Sequence, residues 1–213
     1  MTVSVTDAEK AYQQILAKII QAQMEPGSVI SEHTLMEELG YGRTPVREAL
    51  KRLQAELFVI TSPRRGMFVA PITYSDINRI YEVRLEMESI GIRLATERIT
   101  ESQLDALDCH ISSYPSDNSP GIDSLIELDR KFHFGIYQAT HNPLLQTDLQ
   151  RYYYMSQRIW FYTYEHLAPE YIGLQDHPGI LKELRARNPE GAEKKMRKHN
   201  KNFQNHIKEY LLS

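Results

Sequence analysis

The strongest constraint on the fold is a change of pattern near Pro71. Before this residue, three stretches with apolar residues at helical spacing are followed by two short runs of β-forming residues, at 58–61 and 67–70. Turn-forming residues at 62–66 separate the two runs. This order predicts three helices and a β-hairpin, which is a winged helix-turn-helix. Beyond it the strand patterns end and helical spacing continues, so the second part is predicted to be all-helical.

Capping residues indicate where the first three helices begin and end. Thr6 starts the pattern of a capping box, so we expect the first helix to begin there. The second helix is expected to begin near Ser31 and to stop at Gly40. For the third helix we expect Thr44 as the N-cap and Pro45 at the first helical position. The turn between the second and third helices is therefore very short.

The remainder of the chain is expected to form a separate bundle of about six helices. We place the boundary so that residues 1–72 form the first domain and residues 73–213 the second. The fold class is therefore mainly α with one small hairpin. Four helix starts in the second domain are marked by capping residues: Ser75, Thr100, Asn142 before Pro143, and Asn188 before Pro189.

Composition excludes several other classes of protein. The 213 residues are 41% hydrophobic and 25% charged, unlike a disordered or collagen-like chain. The longest segment without Asp, Glu, Lys or Arg, residues 132–147, contains two His, an Asn and a Pro, so no membrane span is expected. Early acidic residues argue against a signal peptide, and Cys109 by itself cannot form an internal disulfide. We expect a cytoplasmic location.

Basic residues are concentrated in the third helix and the predicted wing. Between residues 43 and 65 there are six basic and two acidic residues, although the whole chain carries a net charge of −3. Such a run is equally consistent with a solvated helix face and with a phosphate-binding surface. The second helix of a helix-turn-helix presents its N-terminal residues to the major groove, which favours DNA binding. The expected DNA contacts are Arg43, Thr44, Arg47, Arg64, Arg65 and Gly66.

Three sequence motifs of this first domain resemble the DNA-binding domain of the GntR family of transcription regulators. They are MEPG at 24–27, GRTPVREAL at 42–50 and PRRG at 63–66. The resemblance implies DNA contacts from Arg43, Thr44, Arg47 and Gly66. Two positions depart from the usual family pattern: Gly42 stands where a serine is common, and Leu57 where a glycine is common.

Four polar side chains of the second domain fall in phase with the apolar face of their helices. Asp129 and His133 lie one turn apart on one predicted helix, and His177 and His199 lie on two later ones. One Asp and three His are a ligand set suited to zinc, nickel, manganese or iron, with coordination positions left for water or a ligand. Taken singly, an inward His is more commonly a satisfied core residue. The remaining histidines of the second domain are out of phase and are expected at the surface or at caps: His110, His141, His166 and His206.

The same four residues resemble the metal-binding set of the FCD domain, which is the helical effector domain of the FadR-like branch of GntR regulators. DRKFH at 129–133, NPLL at 142–145 and MRKH at 196–199 carry the resemblance, together with Arg84 and Glu88. It implies a pocket in which the metal helps to hold an organic acid, with Arg84 as partner of the ligand carboxylate. The alternative for Arg84 is an internal ion pair with Glu88. Trp160 and Tyr164 share one helix face and are expected to line the pocket.

These observations predict a homodimeric, ligand-responsive regulator of transcription. Two copies are expected because one winged helix buries little DNA surface, whereas two read paired half-sites. The partners are operator DNA and a small carboxylate effector, and the cofactor is a divalent transition metal, with zinc favoured. One alternative is a metal-dependent hydrolase, although the sequence has no HExxH motif or nucleophile elbow. Another is a DNA-binding module whose helical part serves only to dimerise.

Overall fold

A computed structural model describes residues 5–114, 121–163 and 173–212 of the chain. It divides into two compact units, Met1–Thr73 and Tyr74–Ser213. The described residues are mostly helical and contain one small antiparallel sheet, which confirms the predicted fold class. Tyr164, His166 and most of the predicted loop at 114–121 lie outside the described residues.

The first unit contains three helices and a three-stranded sheet within residues 5–73. The helices are α1 (Asp7–Ile20), α2 (Glu32–Leu39) and α3 (Arg43–Ala55), and the strands are β1 (Val29–Ile30), β2 (Val59–Ser62) and β3 (Gly66–Val69). β3 is central and pairs antiparallel with both neighbours. The register of the predicted hairpin sets Val59 opposite Val69 and Ser62 opposite Gly66. β1 was not predicted, because two residues are too few to show the alternation that marks a strand.

The caps and core of this unit follow from the sequence pattern. The Thr6 hydroxyl accepts a hydrogen bond from the Glu9 backbone N–H at 3.2 Å, and Ser31 caps α2 in the same way. Gly40 ends α2 in the left-handed region, with φ of 70°. α1 packs on α3, and both bury their apolar faces. The buried residues of α3 are Val46, Ala49, Leu50 and Leu53.

The predicted start of the third helix was wrong by two residues. Gly42 is the N-cap and makes no side-chain hydrogen bond, and α3 begins at Arg43. Thr44 is therefore inside the first turn, and Pro45 is the third helical residue. The first turn tolerates proline at several positions, because its N–H groups have no partner within the helix.

α3 ends in a Schellman motif that has leucine where glycine is usual. The Phe58 N–H donates to Leu53 C=O at 2.9 Å, and the Leu57 N–H donates to Gln54 C=O at 3.1 Å. This geometry requires a left-handed residue after the C-cap, and Leu57 has φ of 68°. The side chain of Leu57 is largely exposed.

The second unit contains six α-helices within its described residues. They are α4 (Tyr74–Arg98), α5 (Glu101–Ser112), α6 (Ile122–Ala139), α7 (Pro143–Thr163), α8 (His177–Arg185) and α9 (Pro189–Leu212), with a 3-10 helix at Leu174–Asp176 before α8. α4 packs against α6, α7 and α9. None of the described helices combines the length and apolar character needed to cross a membrane.

Most of the predicted helix starts in this unit are confirmed. Thr100 forms a complete capping box with Gln103. The Asn142 side chain accepts from two backbone N–H groups at the start of α7, and Asn188 accepts from one at the start of α9. Ser75 is not a cap, because α4 begins one residue earlier at Tyr74.

Candidate metal centre and nucleic-acid interface

Asp129, His133, His177 and His199 lie together in the interior of the second unit. Asp129 and His133 are one turn apart on α6, His177 is the first residue of α8, and His199 is on α9. All four are buried, and each offers one ligand atom within 4.8 Å of the others. The structure thus brings together all four residues that the sequence singled out.

The closest atoms in this cluster are the imidazole Nε2 atoms and one carboxylate oxygen. Asp129 Oδ1 lies 3.2 Å from Nε2 of His177, 3.7 Å from Nε2 of His133 and 3.9 Å from Nε2 of His199. Nε2 of His133 lies 3.2 Å from Nε2 of His199. Donor atoms from three helices therefore converge on one small volume.

Two of these atoms are buried and lie close to each other without forming a hydrogen bond. Asp129 Oδ1 and His177 Nε2 make no hydrogen bond within the part of the chain that the structure describes. Leaving one buried polar atom unsatisfied costs about 1–3 kcal/mol. The cost is removed if both atoms ligate a cation, and three imidazoles with one carboxylate are a donor set that divalent transition metals accept. The residues present therefore fit a metal ion.

Each cluster residue is oriented from outside by a second polar group. This arrangement is common around metal-bound histidines, where an outer acceptor fixes the ring and raises its basicity. The pairs are His133 Nδ1 with Glu88 Oε2 at 3.3 Å, His199 Nδ1 with Asp176 Oδ2 at 3.4 Å, His177 Nδ1 with Tyr114 Oη at 2.7 Å, and Asp129 Oδ2 with Tyr153 Oη at 2.7 Å. The roles of Tyr114, Tyr153 and Asp176 were not predicted from the sequence.

The ionisation states in the cluster suit a cation. Burial lowers the pKa of His177 to about 3, although contact with Asp129 acts in the opposite direction. His177 is therefore neutral at pH 7, which is the form that binds metals. Burial acts to raise the pKa of Asp129, but the neighbouring imidazoles outweigh it and hold that pKa well below its usual range. Asp129 is therefore ionised.

Arg84 forms the internal ion pair that was the alternative in the sequence analysis. Its Nε donates to Glu88 Oε1 at 2.5 Å, and its Nη1 donates to the Ser156 hydroxyl. Arg84 and Glu88 are both almost completely buried. Burial acts to raise the pKa of Glu88, but the charge of Arg84 dominates and the pKa lies well below its ordinary value.

A small cavity adjoins the cluster. It is lined by Arg84, Asp129, Tyr153, Ser156, Gln157, Trp160, His199, Asn200 and Phe203. It has room for about one water molecule, so a larger ligand requires side chains to move. Trp160 is buried and packs edge-on against Phe203, with ring centroids 5.3 Å apart. Tyr164, the other aromatic residue predicted here, lies outside the described residues.

The other described histidines of the second unit are outside the cluster. Nε2 of His110 lies 2.8 Å from the carbonyl oxygen of Leu128, His141 is exposed just before α7, and Nδ1 of His206 is 3.7 Å from Glu209.

The residues predicted to contact DNA are exposed on the first unit. Arg43 and Thr44 lie in the first turn of α3, followed by Arg47 one turn later. Nε of Arg47 contacts both carboxylate oxygens of Glu32, at 2.9 and 3.1 Å. No local pattern pointed to this contact, because Glu32 is on α2 and its position does not follow from helical spacing.

The wing residues predicted to contact DNA lie at the hairpin tip, with Arg64 and Arg65 in the turn and Gly66 as the first residue of β3. Arg64, Arg65 and Gly66 are all exposed there. Arg64 and Gly66 have positive φ, of 64° and 97°. The guanidinium of Arg65 lies 5.6 Å from the centre of the Phe68 ring.

Two family models match the chain. The model described as "Bacterial regulatory proteins, gntR family" matches residues 7–69, and the model described as "FCD domain" matches residues 79–202. Together with the winged helix, these matches define a DNA-binding transcription regulator. The chain belongs to the GntR family and carries an FCD domain.

Individual relatives agree with this assignment. The chain is 28% identical over 204 residues to the HTH-type transcriptional regulator YdhC of Bacillus subtilis (strain 168), covering 94% of this chain and 90% of that protein. It is 24% identical over 192 residues to the HTH-type transcriptional repressor RspR of Escherichia coli (strain K12), covering 90% and 84%. The solved structure of E. coli McbR/YncC has the same fold, with a TM-score of 0.83, 23% identity and 98% coverage of both chains.

Proposed function

We propose that the second unit binds a small organic acid at a metal site, and that this binding controls the affinity of the first unit for operator DNA. The observation that carries the proposal is the convergence of Asp129, His133, His177 and His199 beside a cavity that Arg84 and Trp160 line. A bound divalent ion, with zinc favoured, would supply a Lewis-acidic centre for a carboxylate oxygen. The ligand changes DNA affinity to the extent that it binds two states of the protein unequally.

Thermal unfolding of the full chain tests the metal site. Wild-type protein stripped of metal should gain stability when Zn²⁺, Ni²⁺ or Mn²⁺ is added, because the ion binds the folded form. His133→Ala should abolish the gain, whereas His141→Ala, a change at an exposed histidine outside the cluster, should keep it. Less than about a tenth of an equivalent of metal per chain, with no thermal shift, would instead favour a purely structural helical domain.

A screen of small carboxylates tests the effector. Carboxylates that stabilise the metal-loaded protein should lose their effect when a chelator removes the ion. A thermal shift that is unchanged after chelation would contradict the proposal that the metal holds the ligand.

The proposed DNA contacts are Arg43, Thr44, Arg47, Arg64, Arg65 and Gly66. Their exposure around the N-terminus of α3 and the wing supports this assignment. Arg43→Ala and Arg47→Ala should each weaken operator binding by about 1–3 kcal/mol and relax base preference. Lys182→Ala, at an exposed position on α8, is the control. Unchanged operator affinity in both arginine variants would contradict base reading by α3.

An apolar stripe on α4 supports a homodimer. The stripe consists of Val83, Met87, Ile90 and Leu94, which are separated by four, three and four residues. Val83 and Ile90 are exposed, and Met87 and Leu94 are partly buried. Arg79 lies near the start of α4 and Glu97 near its end, so antiparallel pairing of two copies brings each Arg79 near the partner's Glu97. Ile90→Glu should shift the sedimenting species from dimer to monomer, whereas Leu144→Glu, at an exposed position on α7, should not. A dimer that persists in Ile90→Glu would place the interface elsewhere.

The cluster is proposed to bind rather than to catalyse. Glu88 is the carboxylate next to His133, but its oxygens are held by Arg84, Tyr137 and Asn200, so it is poorly placed to act as a general base. The named relatives are transcription regulators, which agrees with a non-enzymatic role in the cytoplasm. Metal-dependent hydrolysis that His133→Ala abolishes, in a protein that does not bind DNA, would reverse this assignment.

A further inference from the structure

Glu88 contacts the cavity arginine and the metal cluster at the same time. Its Oε1 accepts from Arg84 Nε at 2.5 Å and from the Tyr137 hydroxyl at 2.8 Å. Its Oε2 lies 3.3 Å from His133 Nδ1 and accepts from Asn200 Nδ2 at 3.0 Å. One buried carboxylate is therefore shared between a side chain that lines the cavity and a candidate metal ligand.

We propose that Glu88 is a positioning residue that couples anion binding at Arg84 to metal binding at His133. The inference rests on the proposed function of the cluster. Arg84 neutralises part of the charge that Glu88 otherwise presents to the His133 ring. An anion that binds Arg84 competes with Glu88 for the guanidinium, so more of the carboxylate charge acts on His133. A carboxylate behind a histidine strengthens its bond to a metal ion.

The buried setting makes this coupling strong. Glu88, Arg84 and His133 are all more than nine-tenths buried, and interactions between charges are larger in such surroundings than in water. The coupling is also reciprocal: if the anion tightens metal binding, the metal tightens anion binding by the same factor. The cluster and the cavity then respond as one site, which favours occupancy by both the metal and the acid over occupancy by either one.

Asp176 provides an internal comparison. It stands behind His199 as Glu88 stands behind His133, at 3.4 Å from Nδ1. No arginine of the described residues contacts Asp176, and its side chain is 31% exposed. We expect Asp176 to support metal binding without responding to changes at Arg84.

The test uses Zn²⁺ alone as the probe, with the full chain in competition with a chromophoric chelator. Glu88→Gln should weaken Zn²⁺ binding by about 10- to 100-fold, which is the usual effect of losing an outer carboxylate. Arg84→Met should tighten Zn²⁺ binding, because the guanidinium no longer neutralises part of the Glu88 charge that acts on His133. Opposite changes in Zn²⁺ affinity are not expected if Glu88 and Arg84 only maintain the fold.

A double-mutant cycle isolates the coupling. Arg84→Met should have no effect on Zn²⁺ affinity in the Glu88→Gln background, and should still tighten binding in the Asp176→Asn background. Circular dichroism of each variant verifies folding, and Arg84→Gln, which retains a hydrogen-bond donor toward Glu88, replaces Arg84→Met if that variant does not fold.

The outcomes separate this inference from the proposed function. A wild-type protein that binds no Zn²⁺ overturns both. A wild type that binds Zn²⁺, with Glu88→Gln binding equally well or with the Arg84 variants binding more weakly, overturns the coupling alone.

Discussion

Replacing Leu57 with glycine is expected to stabilise the first unit. Leu57 is the left-handed residue of the Schellman motif, with φ of 68°. An L-residue pays about 1–2 kcal/mol in this conformation, and glycine does not. Glycine also gives the unfolded chain more freedom, which costs about 0.4–1 kcal/mol. Because the Leu57 side chain is 66% exposed, little burial is lost. The net gain in the free energy of unfolding is about 0.5–1 kcal/mol.

Hydrogen exchange of the α3 amides measures this gain within the full chain. In Leu57→Gly these amides should exchange about 2- to 5-fold more slowly if they exchange through unfolding of the unit. Gln54→Gly is the matched control: it lies inside the helix and is exposed, so exchange should become faster. Faster exchange in Leu57→Gly would show that the leucine side chain stabilises the helix end by more than its backbone conformation costs, and would refute the reasoning.

Three further predictions concern the two candidate sites. The folded-state pKa of His177 is about 3, below its unfolded value near 6.5, so metal-free protein should lose stability as the pH falls from about 6.5 toward 3, as followed by thermal unfolding. Gly173→Ala should weaken Zn²⁺ binding, because the glycine has φ of 81° and a Cβ there would lie 2.8 Å from the His199 ring; chelator competition measures this. Glu32→Gln should raise the affinity for nonspecific DNA at low salt, because it removes a negative charge beside Arg47; fluorescence anisotropy measures this.

Each of these predictions has a contrary outcome, and the two substitutions also have a control variant. For His177, pH-independent stability over that range would contradict a buried neutral imidazole. For Gly173, the control is Gly179→Ala, whose Cβ would meet only the flexible end of Lys195 at 3.4 Å. Equal Zn²⁺ affinity in the two alanine variants would contradict crowding of His199. For Glu32, Glu37→Gln on the exposed face of α2 is the control, and equal effects of the two changes would indicate a general charge effect.

The parts of the fold that local chemistry determines were predictable from the sequence. The starts of α1, α2, α5, α7 and α9 follow from capping side chains, which act within three residues along the chain. The start of α3 was not predictable in the same way, because Gly42 caps it without a side-chain hydrogen bond and Thr44 offered a more conventional cap. β1 depends on pairing with β3, which is distant in sequence.

The candidate site was likewise predictable from the sequence only in part. The four cluster residues were found because each is polar and in phase with a buried helix face. Their outer partners were not found in this way, since Tyr114, Asp176 and Tyr153 come from elements other than α6 and local spacing does not relate them to the rings they contact. The four-residue spacing on α4 allowed an ion pair between Arg84 and Glu88, but only the structure shows that the pair forms.

The contact between Arg47 and Glu32 has a consequence for selectivity. If Arg47 contacts a guanine, whose O6 and N7 are acceptors that arginine commonly binds, it exchanges the two carboxylate oxygens of Glu32 for two acceptors on the DNA. A DNA sequence without guanine at that position offers no equivalent acceptor. Arg47 then either keeps its contact with Glu32 or gives it up without gaining an equivalent contact on the DNA. The Glu32 carboxylate therefore competes with the DNA for Arg47. This competition lowers the affinity for incorrect operators more than it lowers the affinity for the correct one.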